Sequence, residues 1–133
     1  MTKNNEISKL KILIAEDDES SDSLITESIK HLCREILHVD NGIDAVEVSR
    51  NNPDLDLIFM DIKMPDLNGL EATRQIRTFN SDVIIIAQTA FAGDADKAKI
   101  LAIGCNKYIT KPINIRQLVA MTEEILDSKN NGS

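Results

Sequence analysis

The sequence predicts an α/β domain, with a five-stranded parallel sheet and helices packed on both of its faces. Five strand-like apolar segments alternate regularly with five helix-like segments, and three of the strands are almost continuously apolar. Such runs are typical of parallel strands that are covered on both sides. The length of 133 residues also suits one domain with one hydrophobic core.

The first half of the chain contains three of these strands and two of the helices. Strand Leu10–Ala15 is an apolar run apart from one lysine, and in helix Glu19–Cys33 the apolar residues recur at spacings of one, three and four. Strand Glu35–Val39 is short and ends at an Asp-Asn-Gly turn. Helix Ile43–Arg50 ends shortly before a proline, because the residue that precedes a proline avoids the helical conformation. The third strand, Leu55–Met60, follows.

The second half continues the alternation with two strands and three helices. Helix Leu70–Thr78 is preceded by Asn-Gly, and strand Val83–Gln88 is rich in β-branched residues. Helix Asp94–Ala102 is closed by a glycine of the kind that commonly ends helices. Strand Lys107–Thr110 leads into helix Ile115–Asp127, whose apolar residues lie on one face. Each crossover between parallel strands should be right-handed.

Composition places limits on the class of protein. The domain is predicted to span 9–127, because the polar segments 1–8 and 128–133 have the composition of flexible tails. The net charge is −7 and no lysine or arginine cluster reverses it, which argues against direct contact with nucleic acid. No apolar run is long enough to span a membrane and no signal-like segment precedes the first strand, so we expect a cytoplasmic domain without membrane contact. Cys33 and Cys105 are far apart and are expected to be reduced thiols.

Polar side chains stand at the carboxyl ends of the predicted strands, where ligands bind in this fold class. Glu16 and Asp17 follow the first strand, Asp61 the third, Thr89 the fourth and Lys111 the fifth. A charge beside a buried strand costs several kcal/mol unless it is compensated, and two carboxylates about 4 Å apart repel by about 4 kcal/mol. A hard divalent cation, which prefers oxygen ligands, would relieve this repulsion.

We therefore predict a Mg²⁺ site at these strand ends. Asp17 and Asp61 are the expected direct ligands, Glu16 is expected to act through a bound water, and the backbone carbonyl of Lys63 could complete the set. Once its charge is compensated, Asp61 is the candidate nucleophile that takes up a phosphoryl group as an aspartyl phosphate.

Two further side chains are candidates for binding the phosphoryl group. Lys111 offers a movable positive charge and Thr89 offers a hydroxyl donor. Because a phosphoryl group adds about −1.5 to −2 units of charge, both donors should bind the phosphorylated form better than the free form. This difference in affinity would let phosphorylation shift a conformational equilibrium.

In combination, these residues resemble the motifs of response-regulator receiver domains of two-component signalling. The matching motifs, in chain order, are Ile-Leu-Ile-Ala-Glu16-Asp17, Asp61-Ile-Lys-Met-Pro65 with Asn68-Gly69, Gln-Thr89-Ala90 and Lys111-Pro112. The resemblance covers about Lys9 to Leu126. It implies a flavodoxin-like (βα)5 fold, doubly wound with strand order 2-1-3-4-5, and a bound Mg²⁺ or Mn²⁺.

The resemblance also implies a role for most residues of the site. Asp61 corresponds to the phosphoacceptor, and Glu16 and Asp17 correspond to the acidic metal pair, in which Glu-Asp instead of Asp-Asp is an accepted variation. Thr89 and Tyr108 correspond to the hydroxyl and the aromatic residue that switch conformation on activation.

Three more positions follow from the same resemblance. Lys111 corresponds to the lysine of the family site. Lys63 and Phe91 lie two residues after Asp61 and Thr89, where side chains flank the path of an attacking water. They are therefore predicted to tune the lifetime of the phosphoryl group. The alternative for Phe91 is that it only packs beneath a loop.

The implied partner is a phosphohistidine on a histidine kinase or on a histidine phosphotransfer domain. It is expected to dock near the first helix and near Ile113 and Asn114, which follow the fifth strand. A weak dimer could form through the face around Lys97, Leu101 and Tyr108.

The sequence says less about which protein the domain comes from and about other classes of protein that it could belong to. Segment Gly69–Arg77 and the sequence Ile-Ala-Gln-Thr-Ala resemble receivers of hybrid sensor histidine kinases, so we expect the cytoplasmic part of such a kinase, with a stand-alone single-domain regulator as the alternative.

The domain itself should be a phosphoacceptor and not an enzyme. An aspartyl-phosphate phosphatase would carry its nucleophile after the first strand, and a flavin-binding module would need a Ser/Thr-rich phosphate loop there. A receiver that is never phosphorylated and serves only as an interaction module is disfavoured by the complete residue set.

Overall fold

Five parallel strands form the central sheet of the computed structural model, which describes residues 9–90 and 93–131. The strands are β1 Leu10–Ala15, β2 Cys33–Val39, β3 Leu57–Asp61, β4 Ile84–Thr89 and β5 Lys107–Thr110. The helices are α1 Glu19–Ile29, α2 Gly42–Asn51, α3 Gly69–Arg77, α4 Asp94–Ile103 and α5 Ile115–Asn131, with a short 3₁₀ helix, Lys30–Leu32, before β2. The strand order is β2-β1-β3-β4-β5, which confirms the predicted doubly wound fold.

Two aliphatic layers cover the faces of the sheet. Along β1, Leu13 and Ala15 face the layer formed with α2, α3 and α4, whereas Ile12 and Ile14 face the layer formed with α1 and α5. All six residues of β1 are buried. The continuous apolar run in the sequence therefore reflects a strand with helices on both sides, as predicted.

The connection between α1 and β2 differs from the prediction. The apolar spacing predicts a helix that continues through Cys33, but α1 ends at Ile29, and Cys33 is the first residue of β2, where it pairs with Leu10. Pairing with the neighbouring strand outweighs the helical periodicity at this point. Of the apolar residues in this periodic pattern, Leu24 is 47% exposed, while Ile25 is fully buried.

The last helix is longer than predicted. α5 continues to Asn131, four residues beyond the predicted end at Asp127 and into the stretch predicted as a tail. Lys129 Nζ lies 3.0 Å from Asp56 Oδ2 and donates to the carbonyl oxygen of Lys9 at 3.2 Å, which ties this end of α5 to the start of β1. Among the residues described, none of the helices combines the length and apolarity that crossing a bilayer requires.

The carboxyl ends of the strands are where the structure adds most detail. β3 begins at Leu57 and ends at Asp61, and β4 begins at Ile84 and ends at Thr89, so both strands begin later than predicted and end one residue later. Asp18, Asn41 and Asn68 precede α1, α2 and α3, and each side chain accepts a hydrogen bond from the backbone N–H three residues later, at 2.8–3.0 Å. These caps fix the loops that follow β1, β2 and β3.

Candidate functional site

Three carboxylates meet where β1 and β3 end side by side. The two strands pair in parallel as far as Ala15 and Met60, so Glu16, Asp17 and Asp61 emerge at neighbouring positions. One carboxylate oxygen from each of the three lies within 4.8 Å of the others. Glu16 and Asp61 are only 3% exposed, whereas Asp17 lies at the exposed rim. We refer to Glu16, Asp17 and Asp61 as the acidic cluster, which is the set predicted from the sequence.

Lys111 brings a positive charge to the acidic cluster. Its Nζ lies 2.9 Å from Asp61 Oδ1 and 3.7 Å from Glu16 Oε1. The backbone N–H of Lys111 donates to the carbonyl oxygen of Thr89 at 2.8 Å, and its peptide bond to Pro112 is cis. The backbone of Lys111 is therefore held beside β4, and its ammonium compensates part of the negative charge buried at the ends of β1 and β3.

These surroundings shift the pKa values of three side chains, Glu16, Asp61 and Lys111. Burial raises the pKa of Glu16 to about 7, against the lowering effect of the hydrogen bond from the Asp18 backbone N–H. Burial also raises the pKa of Asp61, although the hydrogen bond from Lys111 opposes the change. Burial lowers the pKa of Lys111, but the hydrogen bond to Asp61 and its charge outweigh burial, so the pKa of Lys111 is raised overall.

The acidic cluster fits a hard divalent cation such as Mg²⁺. Glu16 Oε1 is buried and has no hydrogen-bond partner within the described part of the chain. Leaving a buried acceptor unpaired is costly, and coordination would satisfy it. Because Asp17 is exposed, one side of the cluster faces solvent, where a bound Mg²⁺ would have room for the waters and phosphate oxygens that it usually takes as ligands.

The structure brings Thr89 to the same edge of the sheet as the acidic cluster. Thr89 is buried at the end of β4, one residue beyond Gln88, which pairs with Asp61 across the sheet. Tyr108 lies in β5, three residues before the lysine of the site, and packs against the layer formed with α2, α3 and α4. The Nζ of Lys97 lies 5.7 Å from the centre of the Tyr108 ring. Tyr108 is half-buried in this position.

The two residues predicted to tune the phosphoryl lifetime differ in what the structure shows of them. Lys63 is exposed in the loop after β3, two residues beyond Asp61. Phe91 lies outside the described residues. Their effect on lifetime stays a prediction.

Two residues beside Asp61, Gln88 and Gly69, belong to the motifs quoted from the sequence, but sequence reasoning gave neither of them a role. Gln88 is fully buried, and neither atom of its amide has a hydrogen-bond partner among the residues described. Gly69 begins α3, and a Cβ added there would lie only 2.2 Å from the carbonyl oxygen of Asp61. The available signals were a polar residue at the end of an apolar run and a glycine directly after the capping Asn68.

One known protein family accounts for most of the chain. The family model of the response regulator receiver domain matches residues 12–123. The chain belongs to this family. Receivers of this family are phosphorylated on an aspartate in two-component signalling, and they bind Mg²⁺ at an acidic pocket. In this chain the acidic cluster brings three carboxylates together at the carboxyl ends of β1 and β3.

The receiver is similar in sequence to bacterial response regulators. It is 32% identical over 117 residues to the polar-differentiation response regulator DivK of Brucella anthropi, which covers 86% of this chain and 94% of that protein. It is also 32% identical over 124 residues to a probable transcriptional regulatory protein of Picosynechococcus, which covers 89% of this chain and 49% of that protein. The receiver thus spans about half the length of this second relative.

Solved receiver structures share its fold. The receiver domain of the response regulator Ssk1 of Saccharomyces cerevisiae, crystallised with the histidine phosphotransfer protein Ypd1, has a TM-score of 0.85, with 32% identity and 93% of both chains covered. The receiver domain of a sensor histidine kinase of Pseudomonas aeruginosa, with a magnesium ion coordinated in its active-site cleft, has a TM-score of 0.77, with 31% identity and 91% of this chain and 100% of that chain covered. These similarities agree with the flavodoxin-like fold.

Proposed function

We propose that this receiver accepts a phosphoryl group on Asp61 from a phosphohistidine, in a reaction that depends on Mg²⁺ or Mn²⁺. The observation that carries the proposal is the position of Asp61: its carboxylate is buried in the acidic cluster and lies 2.9 Å from Lys111 Nζ. A nucleophilic carboxylate needs charge neutralisation on both sides of the transferred group more than it needs a base.

The transfer follows from this geometry. A carboxylate oxygen of Asp61 forms a bond to phosphorus while the phosphorus–nitrogen bond of the donor breaks, and the electron pair of that bond stays on the imidazole nitrogen of the donor. Lys111 and Thr89 bind oxygens of the phosphoryl group and stabilise its charge. Glu16, Asp17, Asp61 and the backbone carbonyl of Lys63 would hold Mg²⁺, which neutralises phosphoryl oxygens when it is bound.

Phosphorylation is proposed to switch the face formed by α4 and β5. Thr89 would move toward the phosphoryl group, and Tyr108 would turn inward to fill the space that Thr89 leaves. The half-buried position of Tyr108 and its contact with Lys97 are compatible with two arrangements of the ring. Lys63 and Phe91 would set the lifetime of the phosphoryl group by flanking the path of water.

The proposed phosphoryl donor is a histidine kinase or a histidine phosphotransfer domain. The complex of the Ssk1 receiver with Ypd1 supports this class of partner, because this chain is similar to that receiver over 93% of its length. Docking is proposed on α1, where Leu24 is 47% exposed, and at the loop that carries Ile113 and Asn114. A weak dimer through Lys97, Leu101 and Tyr108 is a further proposal.

The parent protein is proposed to be a hybrid sensor kinase, with the receiver in the cytoplasm. The likeness to the receiver of the Pseudomonas aeruginosa sensor kinase supports this, whereas the likeness to DivK over 94% of its length supports the alternative of a single-domain regulator. In both cases the domain acts as a phosphoacceptor, with self-catalysed transfer and dephosphorylation, and not as an enzyme with free turnover.

The first experiment is intact mass spectrometry after incubation with acetyl phosphate and Mg²⁺. The expected result is one added phosphoryl group, which is absent with a chelator and in Asp61→Asn. Asp82→Asn is the matched control, because Asp82 is exposed before β4, at the opposite edge of the sheet. A wild-type protein that neither gains the group nor binds beryllofluoride would instead favour the non-phosphorylated interaction module.

A further inference from the structure

Gln88 lies near the end of β4, the strand between β3, which carries Asp61, and β5, which leads to Lys111. It is the residue of β4 that pairs with Asp61 of β3 and with Ile109 of β5. Paired residues of parallel strands point to the same face, and Ile109 belongs to the layer formed with α1 and α5. Because β4 lies between β3 and β5, the side chain of Lys111 passes the carboxyl end of β4, where Gln88 and Thr89 lie, to reach Asp61.

The carboxamide of Gln88 is buried without a partner. The residue is 0% exposed, and neither Nε2 nor Oε1 forms a hydrogen bond with the described parts of the chain. Thr73 and Thr122, which are equally buried, each donate to a backbone carbonyl at 2.8 Å. Within the described residues, the only other buried side-chain nitrogen or oxygen atoms without a hydrogen-bond partner are Glu16 Oε1 and the hydroxyl oxygen of Ser49. A buried amide left unpaired is costly, so a state that pairs it is favoured.

The charge on Asp61 decides where the ammonium of Lys111 is held. In this structure Lys111 donates to the free carboxylate of Asp61. A divalent cation compensates that negative charge, and formation of an acyl phosphate moves it from the carboxylate to the phosphoryl oxygens, so either event weakens the attraction between Lys111 and the same oxygen. An ammonium has three donors and no acceptor, so Lys111 can then also donate to an amide oxygen that its side chain passes.

We propose that Gln88 is a positioning residue whose Oε1 accepts a hydrogen bond from Lys111 once a metal ion compensates the charge of the Asp61 carboxylate or a phosphoryl group converts that carboxylate to an acyl phosphate. The phosphoryl part of this inference rests on the proposed function of Asp61. The hydrogen bond holds the ammonium at the reacting edge and gives the buried amide the partner that it lacks in the free protein. Gln88 therefore favours the loaded form and disfavours the free form.

The decisive variant is Gln88→Met, because methionine has nearly the same shape and cannot form these hydrogen bonds. The free variant should unfold at or above the wild-type temperature, since an unpaired amide has been removed. The rise in unfolding temperature on adding Mg²⁺ should be smaller than in the wild type. Labelling by acetyl phosphate at saturating Mg²⁺ should slow by about tenfold, the loss expected for one hydrogen bond to a charged group.

Two controls separate positioning from packing. Ile86→Val changes the same strand and the same layer two residues earlier, so it should lower the unfolding temperature equally with and without Mg²⁺ and leave labelling unchanged. In a Lys111→Met background, Gln88→Met should no longer change the response to Mg²⁺, because the proposed donor is gone. Gln88→Leu serves as a second apolar replacement.

The outcomes are separable. Equal destabilisation of free and Mg²⁺-bound Gln88→Met, or an effect that persists without Lys111, would overturn the inference and leave Gln88 a packing residue. If the wild type binds Mg²⁺ but takes no phosphoryl group, the proposed function fails, and the Mg²⁺ response alone decides the role of Gln88. A wild type that shows neither response contradicts both proposals.

Discussion

At the scale of single residues, Glu16 and Asp61 are buried carboxylates that receive unequal compensation. Lys111 Nζ lies 2.9 Å from Asp61 but 3.7 Å from Glu16, whose pKa burial raises to about 7. At a pH between its ordinary pKa and its raised pKa, such an acid is protonated in the folded protein but has lost its proton in the unfolded chain. Its contribution to stability is therefore complete below the ordinary pKa of 4.5 and is lost as the pH rises through about 7.

The stability of the metal-free protein should consequently depend on Glu16. Between about pH 5 and pH 8 the free energy of unfolding should fall by about 1–3 kcal/mol through this group, and Glu16→Gln should flatten that slope. Denaturant unfolding in chelator at several pH values measures it. Glu124→Gln is the control, because Glu124 is exposed and its pKa is lowered by Lys107. An unchanged slope in Glu16→Gln would count against the raised pKa.

Sequence alone could predict which residues gather at the site. It could not predict which hydrogen-bond partners and compensating charges each of them finds there. Asp61 and Lys111 meet because parallel strands place their carboxyl ends at one edge of the sheet, and that follows from the apolar runs that precede them. The unpaired amide of Gln88 depends on which groups from distant parts of the chain surround it, and no local pattern encodes this. The same holds for the 3.7 Å separation that leaves Glu16 poorly compensated.

At the scale of elements, the start of α3 is packed directly against the end of β3. The backbone N–H of Gly69 donates to the carbonyl oxygen of Ile62 at 2.8 Å. A Cβ at Gly69 would lie 2.2 Å from the carbonyl oxygen of Asp61 and 2.9 Å from Cγ of Met60. Glycine is needed here for space, and α3 thereby fixes the backbone that carries the candidate phosphoacceptor.

Gly69→Ala should therefore disturb both stability and phosphorylation. We expect a loss of about 1–3 kcal/mol in the free energy of unfolding, because backbone atoms have to move, and slower labelling of Asp61 by acetyl phosphate. Gly93→Ala is the matched control at the start of α4, where the nearest atom to the added Cβ is Asp96 Oδ2 at 3.4 Å. Wild-type values for Gly69→Ala in both measurements would show that α3 does not constrain Asp61.

A second connection between elements depends on Asn106. Its Oδ1 accepts hydrogen bonds from the backbone N–H of Ile85 in β4 at 2.8 Å and from Arg77 Nη2 in α3 at 2.9 Å. Asn106→Ala should lower the free energy of unfolding by about 1–3 kcal/mol, because the N–H of Ile85 loses its acceptor. Asn106→Asp keeps an acceptor oxygen and should retain most of the stability in denaturant unfolding. Equal losses in the two variants would assign the effect to something other than this acceptor.

The existence of the elements could be predicted more securely than their ends. All five strands follow from apolar runs, but Cys33 belongs to β2 because β1 offers it a partner in Leu10, and this is a long-range contact. The end of α5 likewise lies at Asn131, beyond the predicted Asp127, near a contact between Lys129 and the start of β1. Contacts between distant parts of the chain set these boundaries, and sequence periodicity does not report them.

At the scale of the whole molecule, folding and cation binding should be linked. The chain carries a net charge of −7, and the acidic cluster concentrates three carboxylates at one edge of the sheet. A ligand that binds only the folded state stabilises it in proportion to the logarithm of its concentration over its dissociation constant. The unfolded chain does not hold these three carboxylates together, so Mg²⁺ should bind the folded state almost exclusively.

Mg²⁺ should therefore raise the unfolding temperature. At about 100 times the dissociation constant the gain is about 2.7 kcal/mol, which corresponds to roughly 10 °C for a domain of this size. Asp17→Asn should lose most of this response, while KCl at matched ionic strength should not reproduce it. Differential scanning calorimetry measures the shift, and an equal response to KCl would reduce the effect to charge screening.

The contact between Lys129 and Lys9 also determines how the receiver can be handled as a building block. It joins the two ends of the described chain at the pole where the strands begin, and Asp61 lies at the other pole. A tether or a dye attached at Lys9 or at Lys129 would therefore lie at the pole opposite Asp61 and would leave the acidic cluster accessible. The receiver could accordingly be immobilised through either of these two lysines with Asp61 facing away from the support.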